Sequence, residues 1–228
     1  MQMKSFLKKL FLGSITLETV NSPINGQIAV LEDLFGRREM VAGGVEQSGV
    51  LVKKIWEKVL NFKFLILRQR LPQNFKCLIL GVGGGTLIQM IFKSFPQAEI
   101  TGIEIDPQMI NLGKKYFGLG EIPNLKIFLD DALEKIQDLE FREYDLILVD
   151  LYCGQEFPAE AESEIFLKTL EKILTPRGVV IFNRLNYNRK HQQKTSSFAQ
   201  KLAKVFPAVK EIKTEFNRLF LASSALPK

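Results

Sequence analysis

The chain has 228 residues, 46% of them hydrophobic, and 31 Lys and Arg against 25 Asp and Glu give a formal net charge of +6. That fits one α/β domain with a full core and a small appendage, and the composition is that of a soluble globular protein, not a disordered or fibrous one. One His and two cysteines, Cys77 and Cys153, are too few for a zinc site or a Ser-His-Asp triad, and no apolar run reaches the roughly 20 residues of a membrane span.

The opening Met1 to Ile15 is basic and then apolar. Lys8 and Lys9 interrupt the apolar part and no A-x-A cleavage signal follows, so it reads as an amphipathic first helix and not a secretion signal, and a cytoplasmic protein is expected. Ile15 to Val20, Gln27 to Leu31 and Arg38 to Val41 read as strands, with turn signals at Asn21-Ser22-Pro23, Asn25-Gly26 and Gly36. They predict a small antiparallel sheet within 1–48, followed by the main domain, 49–228. A helix over 49–70 presents Leu51, Ile55, Val59 and Leu60 on one face and stops before Pro72. From Lys76 strands (77–80, 99–105, 125–129, 144–150, 178–183) alternate with helices (85–95, 107–117, 131–138, 163–174). A helix near 194–206 and strands 208–214 and 218–223 close the chain. Their connection is too short for a parallel crossover, so they form an antiparallel hairpin. The fold class is α/β, a Rossmann-like, mostly parallel sheet with an antiparallel C-terminal hairpin and a small N-terminal β-sheet appendage.

The first buried strand runs into Gly81-Val-Gly83-Gly84-Gly85-Thr86 and then directly into a helix. Such glycines let the backbone turn sharply and approach a ligand, and the helix start offers N–H groups to an anion. Acidic residues close the next strands: Glu104 in Gly102-Ile-Glu104-Ile105-Asp106, Asp131 in Asp130-Asp131-Ala132, and Asp150. Each could be an ordinary helix N-cap, and Asp106, followed by Pro107, reads as one. Together, behind a glycine loop, they mark the ligand-binding end of a doubly wound sheet. A dinucleotide fingerprint needs a third glycine where Thr86 stands, so a single nucleoside is expected.

From residue 15 to 222 the chain resembles the spermidine synthase (aminopropyltransferase) branch of the class I methyltransferase fold. The likeness rests on Ile28-Ala-Val30, Gly36-Arg37, Gly44-Val-Glu-Gln47, Leu78 to Leu87, Gly102 to Asp106, Lys115-Tyr-Phe117, Asp130-Asp-Ala132, Tyr144-Asp-Leu-Ile-Leu-Val-Asp150 and Pro158-Ala-Glu160. It implies S-adenosylmethionine or its decarboxylated form as cofactor. Gly81, Gly83, Gly85, Ile105, Ala132 and Asp150 would surround it, Glu104 would hold the ribose, Asp131 the adenine amino group, and Gln47 would lie over it. Family members dimerise, so a homodimer is an expectation by resemblance.

The chain departs from the family pattern at three places. Gly84 stands where the loop carries Asp, Cys153 where the strand-four motif carries its second Asp, and Ile55-Trp56-Glu57 where Tyr-His-Glu is usual. A neutral thiol cannot orient and deprotonate a cationic amine as a carboxylate does, and Gly84 is expected to leave room for a ligand carboxylate. The expected function is therefore an S-adenosylmethionine-dependent methyltransferase on a small-molecule acceptor, with Asp150 and Tyr152 as catalytic candidates and no metal. The alternatives are a divergent polyamine aminopropyltransferase and a non-catalytic nucleoside- or partner-binding protein. Glu156, Glu160, Glu162 and Glu164 read as a solvated lid or a lure for a cationic acceptor. Arg184 to Lys194 reads as a solvated loop, with nucleic acid not indicated. His191 is expected on the surface, and Trp56 packed between its helix and the small sheet.

Overall fold

The computed structural model describes residues 13–60 and 71–224, and the expected first helix lies outside them. Strands β1 (Ser14–Ser22), β2 (Gly26–Asp33), β3 (Arg38–Ala42) and β4 (Val45–Ser48) form an antiparallel sheet in that order. The sequence pattern missed β4. It is four residues long and follows the Gly43-Gly44 turn, where both glycines have positive φ. Ile28, Val30, Met40 and Ala42 pack against Met109 and Leu112 of helix α3 (Pro107–Tyr116). A polar clamp fixes the same contact: Ser22 Oγ and Asn25 Nδ2 both donate to Asp106 Oδ2, at 2.5 and 2.7 Å, while Asp106 Oδ1 caps α3 through the Gln108 N–H. Asp106 is thus the cap the sequence predicted and also the anchor of the small sheet.

Helix α1 (Val50–Leu60) leads to β5 (Lys76–Leu80), α2 (Thr86–Ser94), β6 (Glu99–Glu104), β7 (Leu125–Leu129), the short α4 (Ala132–Lys135), β8 (Tyr144–Val149), α5 (Glu164–Ile173), β9 (Leu174–Leu185), α6 (Arg189–Val205), β10 (Ala208–Lys213) and β11 (Asn217–Ser223). The seven strands run β10-β11-β9-β8-β5-β6-β7. β5 to β9 are parallel, and β11 is antiparallel to both its neighbours. The continuous apolar runs predicted as doubly buried strands are so: Ile79, Leu148 and Ile181 face Trp56, Ile88 and Ile91, while Leu80, Ile147 and Phe182 face Phe166, Leu170 and Phe198. Chain order reverses between β5 and β8, so a crevice opens at their carboxyl ends.

Helix α6 begins at Arg189, earlier than the expected residue 194, because the Asn188 side chain caps it by accepting from the His191 N–H at 2.9 Å. Asn188→Ala is expected to cost about 1 kcal/mol in urea unfolding with an unchanged m-value. The Arg184–Lys194 stretch is therefore strand end and helix start, not a free loop. Arg184 is 3% exposed, paired with Glu162, and its guanidinium lies 3.9 and 4.8 Å from the ring centres of Phe157 and Phe198. His191, expected on the surface, is buried against Tyr187. Two residues of the acidic segment are taken up by basic neighbours: Glu156 binds Lys190 and Lys194 at 3.0 and 2.7 Å, which holds its carboxyl down at about 2, and Glu162 also takes Lys201, while Glu164 pairs with Lys168 of its own helix. Neither Glu156 nor Glu162 is left as a free lure for a cation, because each is paired with basic side chains of β9 or α6.

Candidate functional site

At the reversal point lies a cavity of ≈ 1170 Å³. Pockets that bury one drug-sized ligand run to about 1,000 Å³, so this one has room for a ligand and an acceptor group. All the cofactor candidates named from sequence line it except Gly85, which is buried at the start of α2. Gly85 is instead a packing position, with a Cβ there falling 2.6 Å from Leu119 Cδ1.

The loop is held by side chains from three directions. Gly81, Gly83 and Gly85 have φ of 85°, 53° and 94°, left-handed values that side chains rarely tolerate. A Cβ at Gly81 would lie 2.3 Å from the Asp150 carbonyl oxygen, and one at Gly83 would lie 2.9 Å from that of Gln47. Glu104, 7% exposed, turns its carboxylate onto this loop: Oε2 accepts from the Val82 and Gly83 N–H at 2.9 and 2.8 Å, and Oε1 from the Asp106 N–H at 3.0 Å. Burial raises its pKa, with the three N–H donors opposing the rise. A carboxylate has about four acceptor sites, so three backbone bonds leave room for one ligand hydroxyl.

The N–H groups of Gly81 to Gly85 are taken within the protein, which leaves an anion only those of the helix start, from Thr86 onward: Gly81 bonds Ile103, Val82 and Gly83 bond Glu104, Gly84 bonds Ser48 Oγ, and Gly85 bonds Val82. Contrary to the sequence expectation, Gly84 leaves no room for a ligand carboxylate. It is buried under the small sheet, where a Cβ would meet Met40 Cε at 2.9 Å and Ser48 Cβ at 3.0 Å. The family's Asp is excluded here by the close packing of β3 and β4.

Beyond the loop, Ile105 is 46% exposed and, with Leu133 and Leu151, gives the cavity an apolar wall. Asp131 caps α4 through the Leu133 N–H at 2.8 Å and also lines the cavity, so the cap reading and the site reading hold together. Among the described lining residues six are acidic (Glu46, Glu57, Glu104, Asp131, Asp150, Glu215) and two are basic (Lys54, Lys58). A chain of net charge +6 thus presents a predominantly anionic cavity.

Of these carboxylates, Asp150 is held by two side chains. Oδ2 accepts from Trp56 Nε1–H at 3.0 Å and Oδ1 from Asn183 Nδ2 at 2.8 Å. Burial raises its pKa against these two bonds. Trp56 is fully buried, but against the main sheet and not the small one as expected, and its indole N–H belongs to the site, which periodicity does not reveal. Tyr152 lines the cavity with a hydroxyl engaged twice, donating to Asn183 O at 3.2 Å and accepting from the Leu185 N–H at 2.8 Å. Cys153 and Glu156 bond each other's backbone, closing a tight loop at the cavity rim. Sequence reasoning also missed Glu46, whose Oε1 caps α1 through the Leu51 and Val52 N–H at 2.7 and 3.1 Å.

A glycine loop that admits no side chain, a buried acid with one acceptor site to spare and an exposed apolar wall fit an adenosine moiety. The surplus of carboxylates and the absence of spare loop N–H groups fit a cationic sulfonium better than a phosphate. The described residues contain no cluster of three metal-ligating side chains and no helix long and apolar enough to cross a membrane.

The family model described as spermine/spermidine synthase domain matches residues 67–216. The chain is 34% identical over 116 residues to the eEF1A lysine and N-terminal methyltransferase of Bos taurus, which covers 46% of this chain and 17% of that protein. It is 25% identical over 129 residues to the polyamine aminopropyltransferase of Vibrio vulnificus (strain CMCP6), covering 56% and 43%. The chain therefore spans less than half the length of either curated relative. Among solved structures, a probable spermidine synthase from Corynebacterium glutamicum superposes with a TM-score of 0.78 over 92% of this chain and 80% of that one, at 19% identity. That coverage reaches beyond the Rossmann-like methyltransferase sheet alone.

Proposed function

The chain belongs to the spermine/spermidine synthase domain family, and from that premise we propose that it is an S-adenosylmethionine-dependent methyltransferase whose acceptor is an amine carried by a polypeptide. The observation that carries this reading is the acid-rich cavity behind a glycine loop whose five N–H groups are already bonded. It favours a positively charged nucleoside and disfavours any nucleotide phosphate. Glu104 would take a ribose hydroxyl, Asp131 the adenine amino group, and Ile105 one face of the ring, with Ala132 and Gln47 completing the seat. Bound S-adenosylmethionine would supply an activated methyl on sulfonium, a reaction that rests mainly on positioning.

Methyl transfer is favoured over aminopropyl transfer by the higher identity to methyltransferase relatives. A polypeptide acceptor replaces the small molecule expected from sequence. That relative's name specifies lysine and N-terminal amines, and the mouth carries the half-exposed apolar residues Leu51, Tyr187 and Phe216 around a volume larger than a nucleoside needs. In this account Asp150 accepts a hydrogen bond from the incoming amine and orients it, while Tyr152 keeps the loop above it in place.

Incubation with methyl-labelled S-adenosylmethionine and lysine-containing or free N-terminal peptides is expected to give labelled peptide. Putrescine with decarboxylated S-adenosylmethionine is expected to give no product; the reverse pattern would establish aminopropyl transfer. Because burial raises the pKa of both Glu104 and Asp150, cofactor affinity is expected to fall on acidification at a higher pH than ordinary carboxylates would produce. Calorimetry across a pH series checks the sign.

A further inference from the structure

Three strands contribute one uninterrupted chain of side-chain hydrogen bonds ending on Asp150. Asn183 Nδ2 on β9 donates to Asp150 Oδ1, and Asn217 Nδ2 at the start of β11 donates to Asn183 Oδ1, each at 2.8 Å. Both asparagines are buried, at 6% and 3% exposure, and their neighbours Phe182 and Leu219 are core. A buried carboxamide in such a place costs stability unless every group is matched. The direction of the chain is dictated by chemistry: the carboxylate only accepts, so Asn183 must present its NH₂ to Asp150 and its oxygen to Asn217. The far end is tied into the β10–β11 turn. The Asn217 N–H donates to Thr214 Oγ1 at 3.0 Å and the Thr214 N–H to Asn217 O at 2.9 Å, while the Asn186 N–H donates to Phe216 O at 2.7 Å. Thr214, Glu215 and Phe216 of this turn line the mouth of the cavity.

We propose that Asn183 and Asn217 are positioning residues that hold Asp150 in its ionised, amine-facing orientation and couple it to the 214–217 turn at the acceptor mouth. This rests on the reading of Asp150 given above. The titratable group facing Asp150 from its own loop is Tyr152, whose hydroxyl is held by β9. The charged groups across the cavity are Glu46 of β4, Lys54, Glu57 and Lys58 of α1, Glu104 at the end of β6, Asp131 after β7, and Glu215 of the β10–β11 turn.

The protein carries its own probe. Trp56 is the one Trp in the chain and its Nε1–H bonds Asp150 Oδ2, so the single indole cross-peak in a ¹⁵N NMR spectrum titrates with that carboxyl. Asn183→Leu is expected to raise the midpoint by about one pH unit, a tenfold change in proton affinity, because a bond favouring the ionised form is lost. Asn217→Ala, which leaves the Asp150–Asn183 contact in place, is expected to raise it by a smaller, measurable step and to lower peptide turnover about tenfold with an unchanged KM for S-adenosylmethionine. The double variant is expected to match Asn183→Leu alone, since Asn217 acts through Asn183. An Asn217→Ala midpoint equal to that of the parent, or two effects that simply add, would overturn the proposal. The titration needs no cofactor. A protein that fails to bind S-adenosylmethionine would refute the functional reading while leaving this test readable.

Discussion

Glu104→Gln is expected to weaken S-adenosylmethionine binding by about 10- to 100-fold and to lower the melting temperature as well. The Glu104 carboxylate receives three backbone N–H groups, two of them from the glycine loop itself. A carboxamide has one oxygen to offer, and its NH₂ would face a donor at the other position. Hydrogen bonds to a charged group are worth about 1.5–3 kcal/mol each, so the bond lost to the ribose lowers affinity about 10- to 100-fold, while the bond lost from the loop lowers stability. Calorimetry with S-adenosylmethionine and thermal unfolding in parallel separate the two effects. A variant that binds within about threefold of the parent would mean that Glu104 serves the loop alone.

Gly81→Ala is expected to be the most damaging single substitution in the site. Its methyl would sit 2.3 Å from the Asp150 carbonyl, and the residue holds a φ of +85°. The left-handed conformation alone costs roughly 1–2 kcal/mol. The overlap with Asp150 is with backbone at the end of β8 and cannot be relieved by turning a side chain. Gly36→Ala is the matched control: its φ is +75°, but nothing lies within 4 Å of the added methyl. The control is expected to lose only the conformational cost and to keep full cofactor affinity, while Gly81→Ala loses more stability and the affinity with it.

The alternation of strands and helices was legible because both faces of β5, β8 and β9 are buried, which writes continuous apolar runs into the sequence. The terminal hairpin followed from the length of its connection. β4 was hidden by its brevity, and the true start of α6 by a cap whose partner is a backbone N–H. At the site, Gly81, Gly83, Glu104 and Asp131 could be placed by spacing after the first strand. What spacing cannot give is direction: that Glu104 faces inward to bind the loop, or that Gly84 is sealed by Met40 and Ser48. Asn183 and Asn217 gave no signal, and Trp56 gave one only as a departure from the family's Tyr-His-Glu, because each lies far from Asp150 in sequence and is brought to it by the fold. The acidic and basic stretches misled for the same reason, since Glu156 and Glu162 find their partners in Arg184, Lys190 and Lys194 across the fold.

The central claim is that the loop and its carboxylates recognise a nucleoside bearing a positive charge and no phosphate. Calorimetry of the intact chain with S-adenosylmethionine, ATP and NAD under identical conditions tests it most directly. Saturable binding of S-adenosylmethionine, with no heat from either phosphate-bearing nucleotide, is the predicted result. Binding of ATP or NAD at comparable affinity, or silence with all three, would contradict it.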